Sequence, residues 1–122
     1  MRHSVLLVQD DDDLRTLYGF SLANSGLRVK AVRNGLEALT ELQEQSPDVI
    51  VTDLAMPVID GKSLIGIIKK KAELAAIPII AMTAYGQNLQ NFAKSAGADL
   101  AVEKPAEINS LCDLVNSVLP QL

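Results

Sequence analysis

Cysteine occurs once in the 122 residues, as Cys112. That excludes an internal disulfide and a zinc site built on cysteine pairs. Tryptophan is absent and aromatics make up 3% of the chain, so the core has to be assembled from aliphatic side chains. An excess of basic charge is also missing. The formal net charge is −4, which argues against general or direct nucleic-acid binding. No apolar run approaches the ~18 residues that read as a membrane span, so no membrane insertion is expected. Met1-Arg2-His3-Ser4 leads straight into a strand-like run, with no secretory leader. A lone cysteine suits a reducing, cytoplasmic location. Linkers, low-complexity stretches and sequence repeats are lacking too.

What is present is ordinary globular material, 48% hydrophobic and 21% charged. The length suits a single domain over 1–122 with its own core. Strand-like and helix-like segments alternate five times. Strands are expected near 4–9, 28–32, 48–53, 78–82 and 99–102. The first helix turns Leu14, Leu17, Tyr18, Ser21 and Leu22 inward and stops at Gly26. The second starts at Gly35, buries Ala38, Leu39 and Leu42, and ends before Pro47. The third buries Leu64, Ile65 and Ile68, then runs into Lys69-Lys70-Lys71. A weaker fourth carries Phe92, Ala93 and Ala96, before Gly97. The fifth repeats at Ile108, Leu111, Cys112, Val115 and Leu119 and stops at Pro120. Such alternation predicts a parallel sheet with helices on both faces, a three-layer α/β/α sandwich. The third and fourth strands are the most apolar and are expected to be central.

Open α/β sheets place their chemistry at the carboxyl ends of the strands. Asp53 closes the run Val49-Ile50-Val51-Thr52, and Asp10 follows Val5-Leu6-Leu7-Val8-Gln9. Thr83 follows Pro78-Ile79-Ile80-Ala81-Met82, and Lys104-Pro105 follows Leu100-Ala101-Val102-Glu103. Two carboxylates about 4 Å apart would repel by about 4 kcal/mol at an effective dielectric near 20. A divalent cation removes that conflict. Mg²⁺ takes oxygen ligands, few of them protein carboxylates, and suits phosphoryl chemistry. A carboxylate can itself accept a phosphoryl group. Asp12 and Asp13 read as caps at a helix start, and Asp11 as a cap or a site-edge residue. The three lysines read as a solvated helix end, Cys112 as a core residue, and His3 as a lone histidine with no partner to make it a ligand or base.

The set Asp10, Asp53, Met56-Pro57, Asp60-Gly61, Thr83-Ala84, Gly97-Ala98-Asp99 and Lys104-Pro105 resembles the receiver domain of two-component response regulators, the chemotaxis-regulator type included. The likeness runs from Ser4 to Leu119. It implies a doubly wound, flavodoxin-like five-stranded sheet of order 2-1-3-4-5. It implies that Asp53 accepts a phosphoryl group from a phosphohistidine, donated by a sensor histidine kinase or a histidine phosphotransfer protein. It implies Mg²⁺ held by Asp10, Asp53 and the Ala55 backbone carbonyl. Gln9 and Asp11 would stand just outside the ligands. Thr83 would bond the phosphoryl group and Lys104 would pair with one of its oxygens. The output would be a downstream protein, met on the surface of the fourth helix, fifth strand and fifth helix. Such a module is not an enzyme beyond its own phosphotransfer and autodephosphorylation, and is expected as a monomer or weak dimer. It would either stand alone or be part of a larger protein.

Three positions depart from the family pattern. Gln9 replaces the first of a usual acidic pair, which predicts weaker Mg²⁺ binding, although an amide can still bond a metal-bound water. Ala101 stands where a switching Tyr or Phe is common, which directs attention to Tyr85. Ala106 replaces a frequent Phe. These departures keep open a receiver that acts as a phosphorylation-independent interaction module. A third reading, an aspartate-nucleophile phosphohydrolase, usually needs a second Asp two residues after the nucleophile, where this chain has Ala55.

Overall fold

The computed structural model describes residues 3–53, 61–83, 97–103 and 108–119, with the backbone alone at 61, 83, 103 and 108–110. Five strands, β1 (Ser4–Val8), β2 (Arg28–Val32), β3 (Val49–Asp53), β4 (Ile79–Thr83) and β5 (Leu100–Glu103), form one parallel sheet in the order β2-β1-β3-β4-β5. Helices α1 (Asp12–Asn24), α2 (Gly35–Glu44) and α3 (Gly61–Lys70) connect strands, and a last helix spans Ile108–Val118. This is the flavodoxin-like doubly wound fold. Its strands fall within a residue of their expected limits. The fourth expected helix, around Phe92 to Ala96, lies outside the described residues.

Alternation along each strand divides the core. Leu6, Val8, Ile50, Ile79 and Ala81 meet Ala38 and Leu42 of α2 and Leu64, Ile65 and Ile68 of α3. Val5, Leu7, Val49, Val51, Ile80 and Met82 meet Tyr18 and Leu22 of α1 and Leu111 and Val115 of the last helix. β3 sits at the centre with every residue buried, which is why it reads as an unbroken apolar run. Each fully buried aliphatic side chain contributes about 1.5–3 kcal/mol relative to exposure.

The helix ends follow local chemistry. Asp11 caps α1 by accepting the Leu14 N–H at 2.9 Å, and Asp12 and Asp13 sit in the first turn rather than at the cap. Asn34 caps α2 through the Glu37 N–H. Gly26, just beyond α1, has φ 95°, the left-handed region that glycine enters without steric cost. Gly97 has φ 87°, and a Cβ there would stand 3.3 Å from Ile65 Cγ2, so glycine also allows α3 to approach.

Several expectations need correction. Leu17 is 44% exposed, because the buried stripe of α1 runs through Leu14, Tyr18 and Leu22 and Leu17 lies about 100° round the helix from Tyr18. Lys69 is not simply solvated. Its Nζ donates to the Ala75 carbonyl at 3.2 Å and lies 3.6 Å from Asp99. His3 does have a neighbour, with Nδ1 3.5 Å from the Asp48 carboxylate. Cys112 is partly buried against the α1 side of the core, as expected.

Candidate functional site at the carboxyl edge of the sheet

The strand order reverses between β1 and β3, since the chain leaves β1 for β2 on one side and reaches β3 on the other. Crevices for ligands open at such a point, beyond the carboxyl ends of the strands. Asp53 is the last residue of β3 and is fully buried, with 0% exposure. Asp10 follows β1 and is exposed. Gln9 stands between them in the register. Val8 pairs with Thr52, so the next rung sets Gln9 opposite Asp53. The backbone of Gln9 remains in the ladder, donating its N–H to Val32 O at 3.1 Å.

Burial sharpens this location. Among the described residues the buried polar side chains are Gln9, Thr52 and Asp53, all at the carboxyl ends of two adjacent strands. Burying a charge or an amide is costly unless it finds partners, so their concentration here marks the edge as different from the rest of the core. Thr52 Oγ1 donates to the Asp53 carbonyl at 3.0 Å. Gln9 Oε1 accepts the Asp11 N–H at 3.1 Å, and Gln9 Nε2 is buried with no partner among the described residues. The amide is therefore turned so that its oxygen serves the α1 entry. The other end of the group can only donate.

Arg15 is a member of this edge that the sequence reading missed. Its Nη1 donates to the Gln9 carbonyl at 3.1 Å and its Nη2 pairs with Asp12 at 2.6 Å, with 18% of the side chain exposed. The signal was the i, i+3 spacing of Asp12 and Arg15 on one helix face. It supplies a fixed positive charge at the base of the Gln9-Asp10-Asp11 turn.

The other expected site residues are placed unevenly. Thr83 is the last residue of β4, one step beyond Met82, which pairs with Asp53. Ala101 lies on β5 beside Ala81 and is half-buried, so the small residue does sit within the sheet where an aromatic ring was looked for. Ala55, Tyr85, Lys104 and Ala106 lie outside the described residues. Among the described residues no group of three or more His, Cys, Asp or Glu could hold a metal ion. The donors at hand are the two carboxylates of Asp10 and Asp53. In donor chemistry these oxygens suit Mg²⁺, which takes few protein ligands and retains several waters.

Comparison with known proteins agrees with this fold. Residues 5–116 match the response regulator receiver domain family. The chain is a member of that family. It is 30% identical over 120 residues to the polar-differentiation response regulator DivK of Brucella anthropi, covering 98% of each protein. It is 37% identical over 117 residues to the transcriptional regulatory protein AfsQ1 of Streptomyces coelicolor, covering 95% of this chain but 51% of AfsQ1. The receiver thus spans about half of that relative. Among solved structures, chemotaxis response regulator CheY4 of Vibrio cholerae superposes with a TM-score of 0.91 at 27% identity, covering 98% of this chain and 100% of CheY4. The receiver domain of sensor histidine kinase PA1611 from Pseudomonas aeruginosa gives a TM-score of 0.86 at 29% identity, over 96% and 97% of the two chains. It is described with a magnesium ion coordinated in its active-site cleft. Receiver domains of two-component systems are signalling modules rather than conventional enzymes, and as a family they bind Mg²⁺ and interact with histidine kinases and downstream targets. No helix among the described residues is long and apolar enough to cross a membrane.

Proposed function

We propose that this receiver is a phospho-acceptor in which Asp53 takes a phosphoryl group from the phosphohistidine of a sensor kinase or phosphotransfer protein. The observation that carries the reading is the buried Asp53 carboxylate at the end of the central strand, at the reversal of strand order. A carboxylate oxygen of Asp53 attacks phosphorus, the P–N bond breaks, and the imidazole leaves with the bonding electrons. The protein's task in such a transfer is positioning and charge stabilisation more than covalent chemistry.

Asp10, Asp53 and the Ala55 carbonyl would hold Mg²⁺. When bound, the ion neutralises the charge that accumulates between the carboxylates and the phosphoryl oxygens. Asp53 presents the nucleophilic oxygen. Thr83, at the end of β4, offers a hydroxyl to a phosphoryl oxygen, and Lys104, beyond β5, offers an ammonium to another. The new negative charge then biases the surface made by the fourth helical segment, β5 and the last helix, where a downstream protein docks. The half-buried Ala101 leaves this route without the usual ring, and Tyr85, two residues after Thr83, is the aromatic that could replace it. The action is cytoplasmic and involves protein partners, with the chain a monomer or weak dimer and no direct contact to nucleic acid.

Incubation with Mg²⁺ and a small phosphodonor, followed by intact mass, tests the reading. One phosphoryl adduct is expected in the wild type and none in Asp53→Asn. Absence of an adduct in the wild type overturns it. Ala101 favours a second reading, a receiver whose partner binding ignores phosphate. That reading requires identical partner affinity for Asp53→Asn and wild type, with or without beryllofluoride.

A further inference from the structure

We propose that Gln9 is a positioning residue for the anion carried on Asp53, with its Nε2 donating a hydrogen bond to a phosphoryl oxygen. The proposal rests on the phospho-acceptor reading above. It concerns a residue at which this chain departs from the family pattern.

Three observations lead to it. Gln9 is fully buried and stands one rung beyond the Val8–Thr52 pair, opposite Asp53. Extending the strand alternation puts the two on one face of the sheet, since Leu7 and Val51 share one cluster and Val8 and Ile50 share the other. The orientation of the amide is set by its neighbour. Oε1 takes the Asp11 N–H at 3.1 Å, and the flipped amide would set donor against donor. Nε2 then remains as a buried donor without a partner among the described residues. A buried polar group left this way is costly, and each such group calls for an explanation.

A donor selects its partner by chemistry. A water on a cation is a strong donor and a poor acceptor, so it suits a carboxylate, the group usual in the family pattern, better than an NH₂ group. A phosphoryl oxygen is negative and only accepts. The exchange of a carboxylate for an amide therefore does more than remove one charge. It adds a donor that can serve the anion, while Oε1 keeps a lone pair for a metal-bound water. Arg15, on the Gln9 carbonyl, helps to hold the backbone from which the amide projects.

The direct test is the side-chain amide resonance of Gln9 in ¹⁵N-labelled wild-type protein, followed as beryllofluoride is added with Mg²⁺. The expected result is a downfield shift of one Nε2 proton and slower exchange with water. A companion variant, Gln9→Met, keeps the length of the side chain and removes the donor. It should lose about tenfold or more in beryllofluoride affinity at saturating Mg²⁺, the scale of one hydrogen bond to a charged group. If backbone signals around Asp53 move while the Gln9 amide does not, the acceptor reading stands and the role of Gln9 falls. The same holds if the amide reports an unchanged contact to water in both states, or if Gln9→Met binds as tightly as wild type. If no signal moves at all, the acceptor reading falls, and this inference with it.

Discussion

At the amino end of the sheet, Asp48 accepts the Ser4 N–H at 2.7 Å and Asp99 accepts the Ile79 N–H at 2.8 Å, so carboxylates staple neighbouring segments together. The backbone completes both staples, with Asp48 N–H on Ser4 O and Asp99 N–H on Ile79 O. Lys69 lies against Asp99 and His3 against Asp48. At the carboxyl end the carboxylate of Asp53 is buried, and beside it the amide of Gln9 keeps a donor without a partner among the described residues. Both ends belong to the same parallel ladder. The difference is that the amino end joins strands through carboxylates, with His3 Nε2 also buried there without a partner among the described residues, whereas the carboxyl end buries three polar side chains, Gln9, Thr52 and Asp53.

The comparison can be strained by removing structural hydrogen bonds away from Asp53, beginning with the largest effect. Asp99→Ala removes the acceptor of a part-buried N–H and the partner of Lys69 together. It should lower stability by about 1–3 kcal/mol, read as a lower urea midpoint, with phosphoryl uptake retained. If uptake disappears while the protein stays folded, the two ends are not separate in role. Asn34→Ala removes the α2 cap, whose side chain accepts the Glu37 N–H at 2.9 Å. The expected cost is about 1 kcal/mol in the same titration, again with uptake retained.

The smallest effect is one of pH. The Arg33 backbone N–H, bonded to Glu37 Oε1, holds the Glu37 carboxyl below its ordinary range, and the Arg33 guanidinium adds to this. A lowered folded-state value means that the contribution is present above the ordinary carboxylate range. It is lost as pH falls through the folded-state value. The Glu37 side chain is part-exposed to solvent, at 38%, so the effect is small. The stability difference between wild type and Glu37→Gln should therefore shrink between neutral and acidic pH. A difference that grows on acidification would contradict the assigned cause.

Much of this was legible in the sequence because it depends on local pattern. The buried run Val49–Thr52 announces β3 and delivers Asp53, and the spacing of Leu64, Ile65 and Ile68 announces α3. Gly26 marks the end of α1 through its own backbone freedom. The staples were not legible. Ser4 and Asp48 are 44 positions apart, and Lys69 and Asp99 meet only after β4 and β5 pair, so tertiary geometry decides them. The turn of the Gln9 amide is a further example. Sequence shows that a carboxylate is missing there, but only the Asp11 N–H reveals which end of the amide remains. Leu17 shows the limit of periodicity, because a leucine at the margin of a stripe is buried or exposed according to how the helix rolls on its sheet.

The central claim is that the carboxyl edge is kept for a ligand and the amino edge for stability. It is tested most directly by a paired measurement of intact mass after phosphodonor treatment and of Tm, on Asp53→Asn and Asp48→Ala. The account predicts that Asp53→Asn loses the phosphoryl adduct with Tm unchanged or raised. It predicts that Asp48→Ala keeps the adduct with a lowered Tm. An adduct that survives in Asp53→Asn, or one that is lost in a folded Asp48→Ala, would contradict it.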